Sequence, residues 1–167
     1  PGDDNDADNG GCVFIVNGQS GLSGSASVSF IQDVTICGTE DDAFLGGGAG
    51  SILADIDGDG ADDLVLSAYG AGEVYIFLDA STLSSSLDTD DADITITGDG
   101  PEAFGISMAA GDFDGDGMAD LAIGAPDMVN YDDEPGEEGE VYIFTGDEVS
   151  SGGSSISSDD ATAVFTS

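Results

Sequence analysis

The phrase Gly72-Glu-Val-Tyr-Ile-Phe77 recurs as Gly139-Glu-Val-Tyr-Ile-Phe144 and, more loosely, as Gly11-Cys-Val-Phe-Ile-Val16. The spacings are 67 and 61 residues, and the longer one carries an acidic insertion, Asn130 to Glu138. Two further markers keep the same order. Thr35-Ile-Cys-Gly38 returns as Thr95-Ile-Thr-Gly98 and, degraded, near Val164 to Ser167; Ala43-Phe44 returns as Ala103-Phe104. A chain made of copies of one small unit folds by stacking each copy on the next, because no copy buries its apolar faces alone.

Each full unit predicts four strands. The first spans Gly48 to Ala54 and Gly105 to Ala110, the second Leu64 to Ala68 and Leu121 to Ala125. The third spans Val74 to Phe77 and Val141 to Phe144, the fourth Ile94 to Thr97 and Thr162 to Thr166. Strands two and three are apolar without alternation, so both faces of the sheet are expected to be buried. A small sheet covered on both sides by its own copies is a propeller blade or a stacked array. Glycine is frequent, and no segment shows a helical period. In this register Gly11 to Val16 is a third strand and Phe30 to Cys37 a fourth. Their hairpin sets Cys12 beside Cys37, the arrangement of a cross-strand disulfide; the alternative is two buried free thiols.

Between strands one and two lies the most chemically pointed feature. Asp55, Asp57, Asp59 and Asp63 stand at positions 1, 3, 5 and 9 of one loop, and Asp112, Asp114, Asp116 and Asp120 at the same positions of another. Glycines fill positions 4 and 6 in both. Such a set suits a hard, oxygen-seeking cation, and Ca2+ fits best. An EF-hand needs Glu at position 12, where Leu66 and Ile123 stand. The chain contains 36 acidic residues and no Lys, Arg or His, a formal net charge of -36. No internal cation can neutralise these clusters, so a metal is expected to. Other acidic runs, Asp3 to Asp8, Asp88 to Asp93 and Asp132 to Glu138, read as an incomplete site and two solvated loops. The Ser-rich stretches 81–86 and 150–158 read as flexible loops.

The same composition bounds the function. A strongly acidic surface repels nucleic acid and anionic membranes. No apolar stretch approaches the ~18 residues needed to span a bilayer, so no membrane insertion is expected. With 40% hydrophobic residues in short β-like runs, the chain is not expected to be disordered. Two cysteines and calcium loops point to an extracellular setting. Catalysis has no His, Lys or Arg to work with, and the obvious carboxylate pairs are committed to metal. No catalytic residue and no enzyme activity are expected.

Phe104-Gly105, the second acidic loop and Gly124-Ala125-Pro126 together resemble the FG-GAP repeat of integrin α subunits and bacterial secreted proteins. The resemblance implies four-stranded blades with Ca2+ in the loop between the first and second strands. It adds the Ala61 and Met118 carbonyls to the two aspartate sets. The earlier repeat departs from the pattern, with Phe44-Leu45-Gly46, three extra residues before its loop, and Ser67-Ala68-Tyr69 in place of Gly-Ala-Pro. By the same resemblance Pro1 takes the place of Pro126, and the chain is expected to start in mid-blade.

The expected fold is all-β: half a blade over 1–38, a blade with the first calcium loop over 39–98, and a blade with the second over 99–167. These tandem antiparallel propeller-type blades do not close a ring alone. Either the exposed edges pair with further chains in a fibre or tube, or the sequence belongs to a larger propeller that binds a protein or glycan ligand.

Overall fold

Alternating apolar pairs on short strands build this molecule, and each sheet is too small to bury both its faces by itself. The structure, a computed structural model, describes residues 7–18, 32–99, 103–126 and 139–166. In chain order the strands of the first half are β1 (Cys12–Ile15), β2 (Val34–Cys37), β3 (Ser51–Ala54), β4 (Asp63–Ala68), β5 (Glu73–Phe77) and β6 (Ser86–Asp88). The second half supplies β7 (Ile94–Thr97), β8 (Ser107–Gly111), β9 (Asp120–Ala125), β10 (Glu140–Phe144), β11 (Ser155–Ser157) and β12 (Ala163–Thr166). They form three sheets ordered β1-β2-β6, β3-β4-β5-β7-β11 and β8-β9-β10-β12, none of them closed.

The expected blades are present as antiparallel meanders. In the first full one, β4 pairs with β3 and β5, and β5 with β7. In the second, β9 pairs with β8 and β10, and β10 with β12. The half blade is the antiparallel hairpin β1–β2, with Cys12 opposite Cys37 and a disulfide joining them. Phe30 and Ile31 of its expected fourth strand lie outside the described residues, as does the insertion 130–138.

The structure departs from expectation at three places. The first strand begins at Ser51, later than Gly48, because Gly48 and Gly50 take positive φ of 61° and 76° and turn the chain before it can extend. The Ser-rich stretches are not loose loops. The second contains the three-residue strand β11, and the first ends where the three-residue strand β6 begins, at Ser86; each strand runs parallel along the outer edge of the preceding blade, β6 on β2 and β11 on β7. A free strand edge offers unpaired amides and carbonyls, and a short extended Ser-apolar-Ser/Asp segment satisfies them. A short helix, α1 (Gly146–Ser151), follows β10, starting after Thr145 with Asp147 and Glu148 in its first turn and Val149 buried beneath it.

Two apolar clusters hold the blades together, and both lie between sheets. One joins Val34 and Ile36 to Leu64, Leu66, Tyr75 and Phe77. The other joins Val65, Val74, Ile76 and Ile96 to Phe104, Leu121, Ile123, Tyr142 and Phe144. The middle sheet therefore gives alternate side chains of one strand to different neighbours, as a period of two requires. Phe104, the Phe of the repeat, sits edge-on to Tyr142 with ring centroids 5.5 Å apart. Replacing Ile96 by Ala removes a side chain shared by both blades and leaves a cavity at their junction. An urea titration should show a loss of about 2–5 kcal/mol; a loss below about 1 kcal/mol would mean the sheets do not depend on this cluster.

Candidate metal centres

Each acidic loop is a turn forced between two strands of one blade. β3 delivers Asp55 and β4 begins at Asp63; β8 ends one residue before Asp112 and β9 begins at Asp120. Gly58 and Gly60 take φ of 75° and 91°, and Gly115 and Gly117 take 86° and 98°. These left-handed values suit glycine and let the backbone coil tightly around the carboxylates.

The coiling brings the first three acids of each loop together. Asp55, Asp57 and Asp59 each offer an oxygen, all within 4.8 Å of one another, and Asp112, Asp114 and Asp116 do the same. Main-chain amides brace them in matching ways. Gly60 N donates to Asp55 Oδ2 at 3.0 Å, and Gly117 N to Asp112 Oδ2 at 3.1 Å. Ala61 N and Met118 N donate to Asp59 and Asp116 Oδ1, each at 2.8 Å. The other oxygen of Asp55, Oδ1, is buried and has no hydrogen-bond partner. A buried lone carboxylate oxygen beside two further carboxylates is costly unless a cation meets it. The donor set, all oxygen and all anionic, fits a hard divalent ion such as Ca2+.

The fourth acid of each set does something that spacing alone does not reveal. Asp63 is buried and accepts two backbone amides, from Ile56 (2.9 Å) and from Asp79 (2.9 Å). Asp120 is buried likewise and accepts from Phe113 (2.6 Å) and Gly146 (2.9 Å). In both blades this carboxylate ties the start of the acidic loop to the chain just beyond the third strand. Burial raises the Asp63 carboxyl above its ordinary value, opposed by the amides of Asp79 and Ile56. Neither side chain joins the three-acid groupings. The signal in the sequence was positional, since Asp79 and Gly146 each follow the repeated Tyr-Ile-Phe by two residues.

The two loops also touch. Asp55, the first acid of the first loop, accepts through its carbonyl the amide of Ala119 in the second, at 2.8 Å. A Cβ on Gly58 would lie 2.8 Å from Met118 Cγ, so the glycine also makes room for the neighbouring loop.

These geometries separate two roles for the aspartates. Asp63→Asn loses one of two amide acceptors at a buried site, and such a loss costs about 1–3 kcal/mol. Thermal melts of Asp63→Asn and Asp120→Asn should therefore fall below wild type in EDTA as well as in calcium. Asp57→Asn should lower the melt in calcium only. Wild-type melts for Asp63→Asn in EDTA would contradict the clamp.

Residues 104–144 match the model described as FG-GAP repeat, and residues 55–123 match the model described as FG-GAP-like repeat. Integrin alpha-3 of Cricetulus griseus and of Mus musculus are each 32% identical over 125 residues, which is 70% of this chain and 11% of the relative. Integrin alpha-PS2 of Drosophila melanogaster is 36% identical over 109 residues, 56% of this chain and 7% of the relative. The chain thus spans about a tenth of the length of these relatives. With the repeated loops, the Phe104–Tyr142 contact and open four-stranded blades now in place, the chain belongs to the FG-GAP repeat proteins of the integrin α type.

Proposed function

We propose that this chain is a non-enzymatic, extracellular, calcium-binding FG-GAP module with a structural or adhesive role. Asp55, Asp57, Asp59 and Asp63 with the Ala61 carbonyl hold one Ca2+. Asp112, Asp114, Asp116 and Asp120 with the Met118 carbonyl hold the second. The observation that carries this reading is the buried, unpartnered Asp55 Oδ1 in a three-carboxylate cluster of a chain without a single basic side chain. Asp63 and Asp120 keep their amide bonds in this reading, because a carboxylate has about four lone-pair sites and uses only two on the backbone. Bound calcium supplies the positive charge that cancels the repulsion among the clustered acids.

The module assembles through its incomplete blade edges into a larger propeller, fibre or tube. Two features support this. Among the described residues β1 has a strand partner on one side only, and an apolar groove of about 560 Å³ separates Val13, Phe14 and Ile15 from Leu53 and Leu64. At the opposite end, Phe165 on β12 is 62% exposed. Similarity to integrin α chains favours a larger propeller that binds a protein or glycan. The disulfide Cys12–Cys37 fits an extracellular location.

Calcium at about 100 times its dissociation constant stabilises the folded state by roughly 2.7 kcal/mol per site. Titration calorimetry should find two sites, and excess EDTA should lower the melting temperature by several degrees. An unchanged melt in EDTA with no heat of calcium binding would refute calcium binding. Light scattering in calcium tests assembly separately: particles larger than one chain are expected, and a sharp monomer at all concentrations would contradict self-assembly.

A further inference from the structure

The two acidic loops belong to different blades, yet one peptide group lies between them. Ala119 N donates to the carbonyl of Asp55 at 2.8 Å. That amide shares its peptide plane with the Met118 carbonyl, the main-chain ligand proposed for the second site. No cis bond is present among the described residues, so the N–H and C=O of this planar unit point in opposite directions. The N–H end holds the backbone of Asp55, whose side chain carries the buried, unpartnered Oδ1 of the first cluster.

A second contact ties the same two turns. Gly146 N donates to Asp120 Oδ1 at 2.9 Å. A Cβ on Gly146 would lie 2.7 Å from the Ile56 carbonyl oxygen, 2.8 Å from Met118 Cβ and 3.0 Å from the Ala119 carbonyl oxygen. A side chain there would wedge the loops apart. Ile56, the residue after Asp55, is fully buried in the apolar cluster that includes Leu121 and Phe144 of the second blade. Neither loop shifts its backbone without moving the other.

We propose that the two calcium sites are positively coupled, with the Met118–Ala119 peptide as the link. A carbonyl held by a cation is polarised, and the N–H of the same peptide becomes a stronger donor, as along any chain of hydrogen bonds. A filled second site therefore fixes the peptide plane and, through it, the backbone of Asp55. The first site is then pre-organised and has less ordering left to do. Linkage makes the effect mutual, so each site tightens the other by the same factor. Charge alone works in the opposite direction, because a divalent ion in one loop weakens the field that draws a second ion to its neighbour. Salt screens that contribution, whereas the peptide contact is direct. The coupling rests on the calcium sites proposed for this chain and specifies how they fill.

Calcium titration calorimetry at about 0.15 M salt separates the two contributions. Asp57→Asn should leave the second site alone able to bind, and Asp114→Asn the first. The overall two-ion constant of the wild-type chain is divided by the product of these two single-site constants. The ratio should be about five or more, the lower end of typical coupling between sites. Charge by itself would put it below one. The empty Asp114→Asn loop keeps three of its four carboxylates, and is more negative than a wild-type loop holding four and a divalent ion. Replacing Ala119 by its α-hydroxy acid exchanges the N–H for an ester oxygen and leaves both aspartate sets in place. Repeated on that background, the ratio should fall to about one. Two bound ions with a wild-type ratio of about one or below would overturn the coupling alone. An unchanged ratio in the ester set would overturn the peptide link. A wild-type chain that takes up no calcium would remove the sites together with their coupling.

Discussion

Carboxylates accepting main-chain amides are the interaction on which this structure depends. A chain with 36 acids and no basic residue cannot use salt bridges between side chains. Its aspartates instead stitch the backbone across turns. Asp93 takes the amide of Leu78, Asp33 that of Asn17, and Asp41 that of Asp8. Asp63 and Asp120 are the extreme cases, buried and each holding two amides from distant points of one blade. A hydrogen bond to a charged acceptor is worth more than a neutral one, and here it is also the ordinary way to place an acid inside. The three-acid clusters are what remains when such amides are too few to satisfy every oxygen, as Asp55 Oδ1 illustrates.

The stack is continuous because every kind of contact passes from one blade to the next. Apolar side chains of the middle sheet enter two clusters, one on each side. Ser67 in the second strand of one blade donates to the carbonyl of Gly105 in the next at 2.6 Å, and the backbone joins the two acidic loops through Asp55 and Ala119. Donated strands add a third level at the outer edge. Shared interfaces of this type make stability a property of neighbouring pairs, as expected for repeat architectures.

Much of this was legible in the sequence, for a physical reason. Apolar runs without alternation, such as Leu64 to Ala68, announce burial on both faces, and the repeated phrase fixes strand order. The Cys12–Cys37 pairing followed from the hairpin register, since residues equally far from a turn stand opposite one another. The aspartate spacing announced which acids would converge, and six of the eight do. The remaining two illustrate the limit. Asp63 and Asp120 fall on the first residue of a strand, and their partners arrive from beyond the third strand, a contact that local spacing does not encode. β6 and β11 were illegible for a similar cause. Three residues, Ser-Leu-Asp in one case and Ser-Ile-Ser in the other, have no strand signal of their own, and they extend only because a neighbouring edge needs partners. The helix α1 is too short to show a period and rests on Val149 docking against the blade.

Crystals grown in calcium, with diffraction recorded at a wavelength where calcium scatters anomalously, test the central claim most directly. Two anomalous peaks are predicted, one within about 2.3–2.6 Å of oxygens from Asp55, Asp57 and Asp59 and the other at that distance from Asp112, Asp114 and Asp116. Calcium-containing crystals with ordered loops and no peak at either cluster would contradict it.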